Sequence, residues 1–315
     1  MRQILYKIQR FDGVQSFVQE YSFPYESGRT ILWGLIQIKE TIDPTLTFVA
    51  ACRSAVCGAC SVRVNGQAML ACEVSLDDMV ERYGNILEIA PLNNFTVIRD
   101  LVVNWEPKVK RLTEVQPWLI PQDKFTAKTG CRQTPEDFKK INQQTACILC
   151  GSCASECNKL SIADNDFYEP YVYSKAQRFV ADSRDGVPLA HLKPALEKGA
   201  WKCVHCQECV TKCPKHLEPA EDISKLRHAS IELGMTDNPG ARHGLAFLED
   251  TMKLGRLNEA TMAMKTEGVF KSLTRLPFAL RLMRHGKLNP LHIQKPVKGI
   301  EQIQAIIKAA REAKD

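Results

Sequence analysis

The sequence lacks the long apolar run that a membrane-spanning helix requires. Its best apolar stretches, such as residues 276–283, are short and contain arginine, whereas a spanning helix needs about 20 apolar residues. Arg2, Lys7 and Arg10 punctuate the N-terminus and no apolar segment follows them, so we expect no signal peptide. A Gly-x-Gly-x-x-Gly motif is also absent, which argues against a flavin or dinucleotide site on this chain.

The cysteine content is the unusual feature of an otherwise ordinary composition. The chain has 315 residues, of which 44% are apolar and 25% charged, and 13 are cysteine. That length suggests two domains, each able to bury a core without disulfide staples. The cysteines also fall in tight groups with metal-ligand spacing, which is unlike a disulfide framework. The pattern therefore predicts metal binding.

The net charge of +6 is concentrated at the C-terminus. Residues 271–315 contain ten Lys or Arg and three Asp or Glu, so the rest of the chain is close to neutral. This basic tail is either a solvated helical surface or a contact for an acidic partner or an anionic membrane. No nucleic-acid-binding motif accompanies the charge, so we expect no nucleic-acid partner.

The periodicity predicts an α+β protein. Alternating apolar residues over 4–18 and 86–89, and a hairpin with Asn65-Gly66 at its tip, predict a small sheet crossed by a helix over 30–40. Residues 101–140 look like a proline-containing connector, and helices are predicted over 139–148, 174–182, 191–198, 219–233 and 299–313. We predict a sheet domain over 1–104, a helical domain over 105–230, and a basic helical extension over 231–315.

The first group of cysteines has the spacing of a plant-type [2Fe–2S] site. Cys52, Cys57 and Cys60 form C-x₄-C-x₂-C. In a two-residue hairpin, residue 64 pairs with 67, so Cys72 returns beside Cys60 as the fourth ligand. The alternative is a tetrahedral zinc site.

Two further groups repeat the C-x₂-C-x₂-C-x₃-C run of two-cluster bacterial ferredoxins, in which the fourth cysteine of each run binds the other cluster. This rule assigns one [4Fe–4S] cluster to Cys147, Cys150, Cys153 and Cys213, and the other to Cys157, Cys203, Cys206 and Cys209. Two zinc ribbons are the alternative. With these runs, the α+β pattern predicts a β-grasp, plant-type ferredoxin domain over 1–104 and an all-α, bacterial-ferredoxin-like double-cluster domain over 105–230. Cys131 is left over, and we interpret it as an inert thiol in preference to a redox group.

An N-terminal plant-type site followed by a helical double-cluster domain resembles the iron–sulfur subunits of succinate dehydrogenase and fumarate reductase. The resemblance covers residues 1 to about 220. Its motifs are Asp43-Pro44-Thr45-Leu46, Cys52-Arg53-Ser54, Cys57-Gly58, Val64-Asn65-Gly66, Pro91-Leu92, residues 97–103, Pro117-Trp118-Leu119 and Cys147-Ile148-Leu149-Cys150.

The resemblance implies an oxidoreductase subunit of the tricarboxylic acid cycle or anaerobic respiration, with no substrate site on this chain. Single electrons would pass between an FAD-carrying flavoprotein subunit and a membrane-side, quinone-linked subunit through the [2Fe–2S], Cys147 and Cys203 clusters in turn. The implied location is a peripheral, membrane-associated complex, with the cytoplasmic face favoured and the periplasmic face open through co-export. The alternatives are the electron-transfer subunit of a thiol- or heterodisulfide-linked reductase or another flavin-dependent oxidoreductase, and a non-enzymatic iron–sulfur sensor.

Two departures from the usual family pattern concern the third cluster. Most members hold [3Fe–4S] there, and Cys206 supplies the ligand that they lack. Asn158-Lys159-Leu160 stands where usual members have proline and then the tryptophans of a quinone pocket. Both changes resemble the non-classical branch, in which a cysteine-rich, heterodisulfide-reductase-like partner replaces the membrane anchor. Because no Cys-Cys-Gly motif occurs here, such a module would be a separate chain.

Overall fold

A computed structural model of the chain describes residues 2–162, 166–287 and 294–313. The chain forms two compact units, Met1–Arg227 and His228–Asp315. Of the predicted C-terminal extension, residues 288–293 and 314–315 lie outside the described residues.

A mixed sheet forms the N-terminal part of the first unit. It contains five strands in the order β2-β1-β5-β3-β4, and β1 and β5 run parallel while the other neighbours are antiparallel. The strands are β1 (Gln3–Phe11), β2 (Ser16–Pro24), β3 (Ser61–Val64), β4 (Gln67–Leu70) and β5 (Ile86–Ala90), and a separate two-stranded ladder joins β6 (Val97–Arg99) to β7 (Val102–Val103). Alternate residues of β1 are buried, as a half-buried strand requires.

Helix α1 (Ile31–Thr41) shares its apolar core with this sheet and confirms the predicted helix. The Thr30 hydroxyl caps it by accepting from the Trp33 amide at 3.3 Å. Gly34 permits the close approach to β1, because a Cβ there would lie 2.5 Å from the Tyr6 hydroxyl oxygen. The sheet and helix together give the predicted ferredoxin-like arrangement.

A buried arginine joins β1 to two distant loops. The Arg10 side chain is 5% exposed. Its guanidinium donates to both carboxylate oxygens of Asp100 at 3.0 Å and to Asp43 at 2.6 Å, and it also contacts the Tyr21 hydroxyl at 2.7 Å. Because Asp100 is 1% exposed, neither partner of that pair has access to water.

We expect Arg10→Met to lower the free energy of unfolding by about 3–5 kcal/mol, because it leaves the Asp100 carboxylate buried without its cation. Urea titration of the cluster-loaded protein, followed by circular dichroism, measures the loss. Lys7→Met on the same strand is the control, since Lys7 pairs with Glu20 in solvent and such pairs contribute about 0–1 kcal/mol. Equal losses in the two variants would contradict the assignment.

The remainder of the first unit is helical, and α6 lies at its centre. Five side chains of α6 with large or apolar groups are buried: Tyr171, Val172, Tyr173, Ala176 and Phe179. Helix α6 packs against α4 and α7. The helices are α2 (Leu76–Tyr83), α3 (Glu106–Glu114), α4 (Pro135–Thr145), α5 (Ser152–Ser155), α6 (Pro170–Val180), α7 (Pro188–Glu197), α8 (Glu208–Thr211) and α9 (Pro219–Glu232), with a 3₁₀ turn over Ala200–Lys202.

The structure corrects the predicted positions of several helices, and α7 begins three residues earlier than predicted. Helix α2 was not predicted; Ser75 caps it by accepting from the amides of Asp77 and Asp78. Helix α3 lies inside the segment predicted to be a connector, where Pro107 occupies the first turn instead of ending a helix. Helices α4 and α6 begin about four residues earlier than predicted, because each starts with a proline at its first position.

The second unit is also helical, with α10 (Pro239–Leu254), α11 (Glu259–Glu267), α12 (Val269–Leu273), α13 (Leu276–Arg284) and α14 (Ile300–Glu312). Asn238 caps α10 through the Ala241 amide. The buried Asp250 of α10 accepts from Lys265 at 2.5 Å and from the Asn258 amide at 3.0 Å, which ties α10 to α11. None of the helices in the described ranges is long and apolar enough to cross a bilayer.

Candidate iron–sulfur centres

The first group of thiols lies in a loop whose backbone amides face sulfur. The Cys52 sulfur accepts from the amides of Ser54, Val56 and Cys57 at 3.3–3.4 Å. Residues Arg53 and Ala55 adopt left-handed backbone conformations, and this turns successive amides inward. Such a concave set of N–H groups stabilises negative charge.

Cys72 reaches the same loop through the β3–β4 hairpin. The register pairs Val64 with Gln67 and Ser61 with Leu70, and the Ala71 amide donates to the Cys60 carbonyl at 3.2 Å. The Cys72 sulfur in turn accepts from the Ala55 amide at 3.2 Å. The structure thus confirms the predicted return of the chain and brings all four thiols of the first group to one place.

The pKa values of the thiols in this group differ. The amides of Ser54, Val56 and Cys57 lower the pKa of Cys52 to about 6, so Cys52 is a thiolate at neutral pH. Burial raises the pKa of Cys60 to about 12, so this thiol keeps its proton until a cation displaces it. Metal loading of the first site therefore releases protons.

The second and third groups surround two separate cavities. The cavity of the second group, hereafter the second cavity, is lined by Cys147, Cys150, Cys153 and Cys213, and it holds about 370 Å³ of space free of protein atoms, including the part open to solvent. The cavity of the third group, hereafter the third cavity, is lined by Cys157, Cys203, Cys206 and Cys209, and its space on the same measure is about 400 Å³. Each cavity thus takes three thiols from one cysteine run and one from the other.

The cavities have the chemistry of a cluster site. Burial raises the pKa of Cys153, Cys157 and Cys213, and raises that of Cys209 to about 12, so these groups are neutral thiols until metal replaces their protons. Within the described ranges, no three Cys, His, Asp or Glu side chains are placed to hold a single metal ion; the thiols enclose space instead. All-sulfur donor sets around a cavity fit iron–sulfur clusters.

The first loop packs directly on the second cavity. Gly58 has φ = +73°, and a Cβ at this position would lie 2.9 Å from the Cα and Cβ atoms of Cys150 and 3.0 Å from the Ile148 carbonyl. Gly58 entered the sequence analysis only as part of the Cys57-Gly58 motif, which does not identify this partner. The contact makes the first and second thiol groups neighbours.

Aromatic and amide side chains from distant segments pack on the cysteine run of the second group. Gly151, between two of the thiols, lies under Trp105 and Phe95, and a Cβ there would be 2.9 Å from the Trp105 ring. The Asn94 amide donates to the carbonyls of Ala154 at 2.8 Å and Cys157 at 3.2 Å. These residues were missed because no spacing relates them to the cysteines.

An arginine organises the loop of the third group. Arg227 donates to the carbonyls of Ala200 and Cys203 at 2.7–3.0 Å, and its Nη1 lies 2.7 Å from the Nε2 atom of His205. The His205 amide points at the Cys203 sulfur at 3.5 Å. His205 is therefore held in the loop by contacts to Arg227 and to the Cys203 sulfur.

Cys131 stands apart from the cavities. It is half-buried and lines an open polar pocket with Arg132, Gln133 and Arg184. None of the other twelve cysteines lines that pocket.

Two family models match the two halves of the first unit. Residues 5–110 match a 2Fe-2S iron-sulfur cluster binding domain, and residues 143–217 match a 4Fe-4S dicluster domain. The fold and its thiol groups therefore define an iron–sulfur protein with one [2Fe–2S] domain and one dicluster [4Fe–4S] domain, as predicted.

Known proteins narrow this class to one family. The chain is 45% identical over 313 residues to the 8-methylmenaquinol:fumarate reductase iron-sulfur subunit of Wolinella succinogenes, covering 97% of this chain and 98% of that protein. It is 36% identical to the fumarate reductase iron-sulfur subunit of Mycobacterium tuberculosis, covering 66% and 84%. It is 33% identical to the succinate dehydrogenase iron-sulfur subunit of Paracoccus denitrificans, covering 65% and 78%. The chain belongs to the family of iron–sulfur subunits of fumarate reductase and succinate dehydrogenase.

A solved structure supports the fold. A chain of the Mycobacterium smegmatis Sdh1 complex in the apo form superposes with a TM-score of 0.68 at 20% identity, covering 75% of this chain and 98% of that chain. The α+β architecture is thus shared at low sequence identity.

Proposed function

We propose that this chain is the electron-transfer subunit of a succinate:quinone oxidoreductase or quinol:fumarate reductase. It relays single electrons between an FAD-carrying flavoprotein subunit and a membrane-side subunit linked to quinone. The observation that carries this proposal is that the three thiol groups are consecutive neighbours in the first unit. The first loop packs on the second cavity through Gly58 and Cys150. The second cavity takes its fourth thiol, Cys213, from the third cysteine run, and the third cavity takes its fourth thiol, Cys157, from the second run.

The proposed ligand sets follow the thiol groups. The [2Fe–2S] cluster would be held by Cys52, Cys57, Cys60 and Cys72. One [4Fe–4S] cluster would be held by Cys147, Cys150, Cys153 and Cys213, and the other by Cys157, Cys203, Cys206 and Cys209. The sulfur-lined cavities and the inward-facing amides support this assignment.

The clusters supply one-electron redox chemistry when bound. The chain supplies position, burial and polarity. The Trp105 and Phe95 rings pack on each other and on Gly151, which lines the second cavity. Inward amides stabilise the charge of the sulfur atoms around Cys52.

We further propose that the complex is of the non-classical type, with a separate cysteine-rich, heterodisulfide-reductase-like subunit in place of the usual anchor. Cys206 completes a four-thiol third cavity. The match to the Wolinella protein also extends through the second unit, whereas the matches to the Mycobacterium and Paracoccus proteins cover about two thirds of the chain. The basic second unit is therefore covered by the match to the Wolinella protein, whereas the matches to the other two proteins are about one third of the chain shorter.

We expect succinate to reduce the clusters, and fumarate to reoxidise them, only when the flavoprotein is bound to this chain. The reason is that the chain has no flavin motif, so dicarboxylate chemistry needs the partner. Anaerobic electron paramagnetic resonance (EPR) of the tagged, co-purified complex measures the response, and the isolated chain is the control. The heterodisulfide-linked alternative would be supported instead if the clusters of the co-purified complex are neither reduced by succinate nor reoxidised by fumarate, but are reduced by a thiol or oxidised by a disulfide.

A further inference from the structure

Tyr171 places a hydroxyl without a partner at the wall of the second cavity. It lies in the first turn of α6, its side chain is 3% exposed, and it lines the same cavity as Cys147, Cys150, Cys153 and Cys213. Among the described residues, nothing forms a hydrogen bond with its buried hydroxyl.

Such a hydroxyl is unusual, because burial of an unpaired donor is costly and native structures avoid it. The two neighbouring tyrosines illustrate the normal case. The Tyr168 hydroxyl donates to Glu114. The Tyr173 hydroxyl donates to the Lys198 carbonyl at 2.6 Å and accepts from the Tyr168 amide at 3.0 Å. Only Tyr171, of these three, lines a thiol-bounded cavity and lacks a partner.

The ring of Tyr171 packs beside other aromatic rings. It packs beside Trp105, with ring centroids 6.3 Å apart, and Trp105 in turn packs on Phe95 at 4.9 Å. No described group lies within hydrogen-bond distance of the hydroxyl. The cavity that Tyr171 lines brings four cysteine sulfurs to the same place, and sulfur can accept a hydrogen bond.

We propose that the Tyr171 hydroxyl donates a hydrogen bond to a sulfur atom of the cluster held by Cys147, Cys150, Cys153 and Cys213, and that it thereby raises the reduction potential of this middle centre. The inference rests on the ligand set proposed above. Reduction adds negative charge to the sulfurs, so a donor aimed at them stabilises the reduced state more than the oxidised state. Tyr171 is thus a positioning residue that adjusts the reduction potential of the middle centre through its hydroxyl.

The test is an EPR-monitored redox titration of the whole complex carrying Tyr171→Phe. We expect the midpoint potential of the middle centre to fall, while those of the first and third centres stay unchanged, because only the hydroxyl is removed. Tyr168→Phe is the matched control, since Tyr168 is equally buried but its hydroxyl is bonded to Glu114 outside the cavity. That variant should leave all three potentials unchanged.

A second variant covers the case in which Tyr171→Phe fails to assemble. Incorporation of 3-fluorotyrosine at position 171 keeps the hydroxyl and makes it a stronger donor, so the middle potential should rise. An unchanged middle potential in either assembled variant, or equal shifts at all three centres, overturns the inference. The proposed function is judged separately, by whether succinate still reduces the unmodified complex.

Discussion

Replacing Cys206 with serine should convert the third centre from a four-iron to a three-iron form and lower the iron content from about ten to about nine atoms per chain. Cys206 is the exposed member of the third group, whereas Cys157 and Cys209 are buried. The three remaining thiols still line the cavity. The variant would therefore lack only the exposed one of the four proposed ligands, and the three other thiols would remain to hold the cluster.

Iron and sulfide analysis of anaerobically purified protein measures the change, and EPR of the oxidised protein detects the new three-iron signal. Cys131→Ser is the control, because Cys131 lines a different pocket and its loss should leave about ten iron atoms and no such signal. If the unmodified protein already shows a full three-iron signal in careful anaerobic preparations, Cys206 is not a ligand. Loss of the whole third cluster in Cys206→Ser would show that three thiols cannot hold it.

Gly58→Ala should slow electron transfer from the first centre to the second by about tenfold or more. The new Cβ would lie 2.9 Å from the backbone of Cys150, and overpacking of this kind costs ~1–3 kcal/mol. The left-handed backbone at Gly58 adds ~1–2 kcal/mol. A strain of that size shifts the balance from a packed to a separated arrangement by more than about tenfold, and electron transfer weakens steeply as the two centres move apart.

Rapid-freeze EPR of the complex after mixing with succinate resolves the order in which the centres are reduced. In the variant, the first centre should accumulate in its reduced form before the second responds. Gly66→Ala is a matched control, because Gly66 also has a left-handed backbone, φ = +80°, but its nearest neighbour would be 3.9 Å away. If both variants slow transfer equally, backbone strain and not the contact with Cys150 is the cause.

Several features of the fold and site follow from local sequence. Asn65-Gly66 determines a two-residue turn, and this turn alone brings Cys72 back beside Cys60. The C-x₂-C-x₂-C-x₃-C runs determine local turns that aim three thiols at one point. The helices whose caps or periodicity are clear, such as α1 with Thr30, were predicted within one or two residues.

Other elements could not be predicted from local patterns. Helix α3 was taken for a connector, because Pro107 is compatible with both a loop and a helix start. Ser75 is one serine among many until its hydroxyl is seen to cap α2. In both cases tertiary packing decides between conformations that local propensity leaves nearly equal in free energy.

The sulfur chemistry of this protein could be predicted from the cysteine pattern, because ligand spacing and turn type are short-range properties of the chain. Which centres are neighbours, and what surrounds them, depends on the packed fold. Gly58 meets Cys150, Trp105 covers Gly151 and Tyr171 faces the second cavity. These pairs are distant in sequence or unrelated to the cysteine spacing, and they meet because the sheet and the helices bury a shared core. Pairing of that kind depends on the whole packed chain.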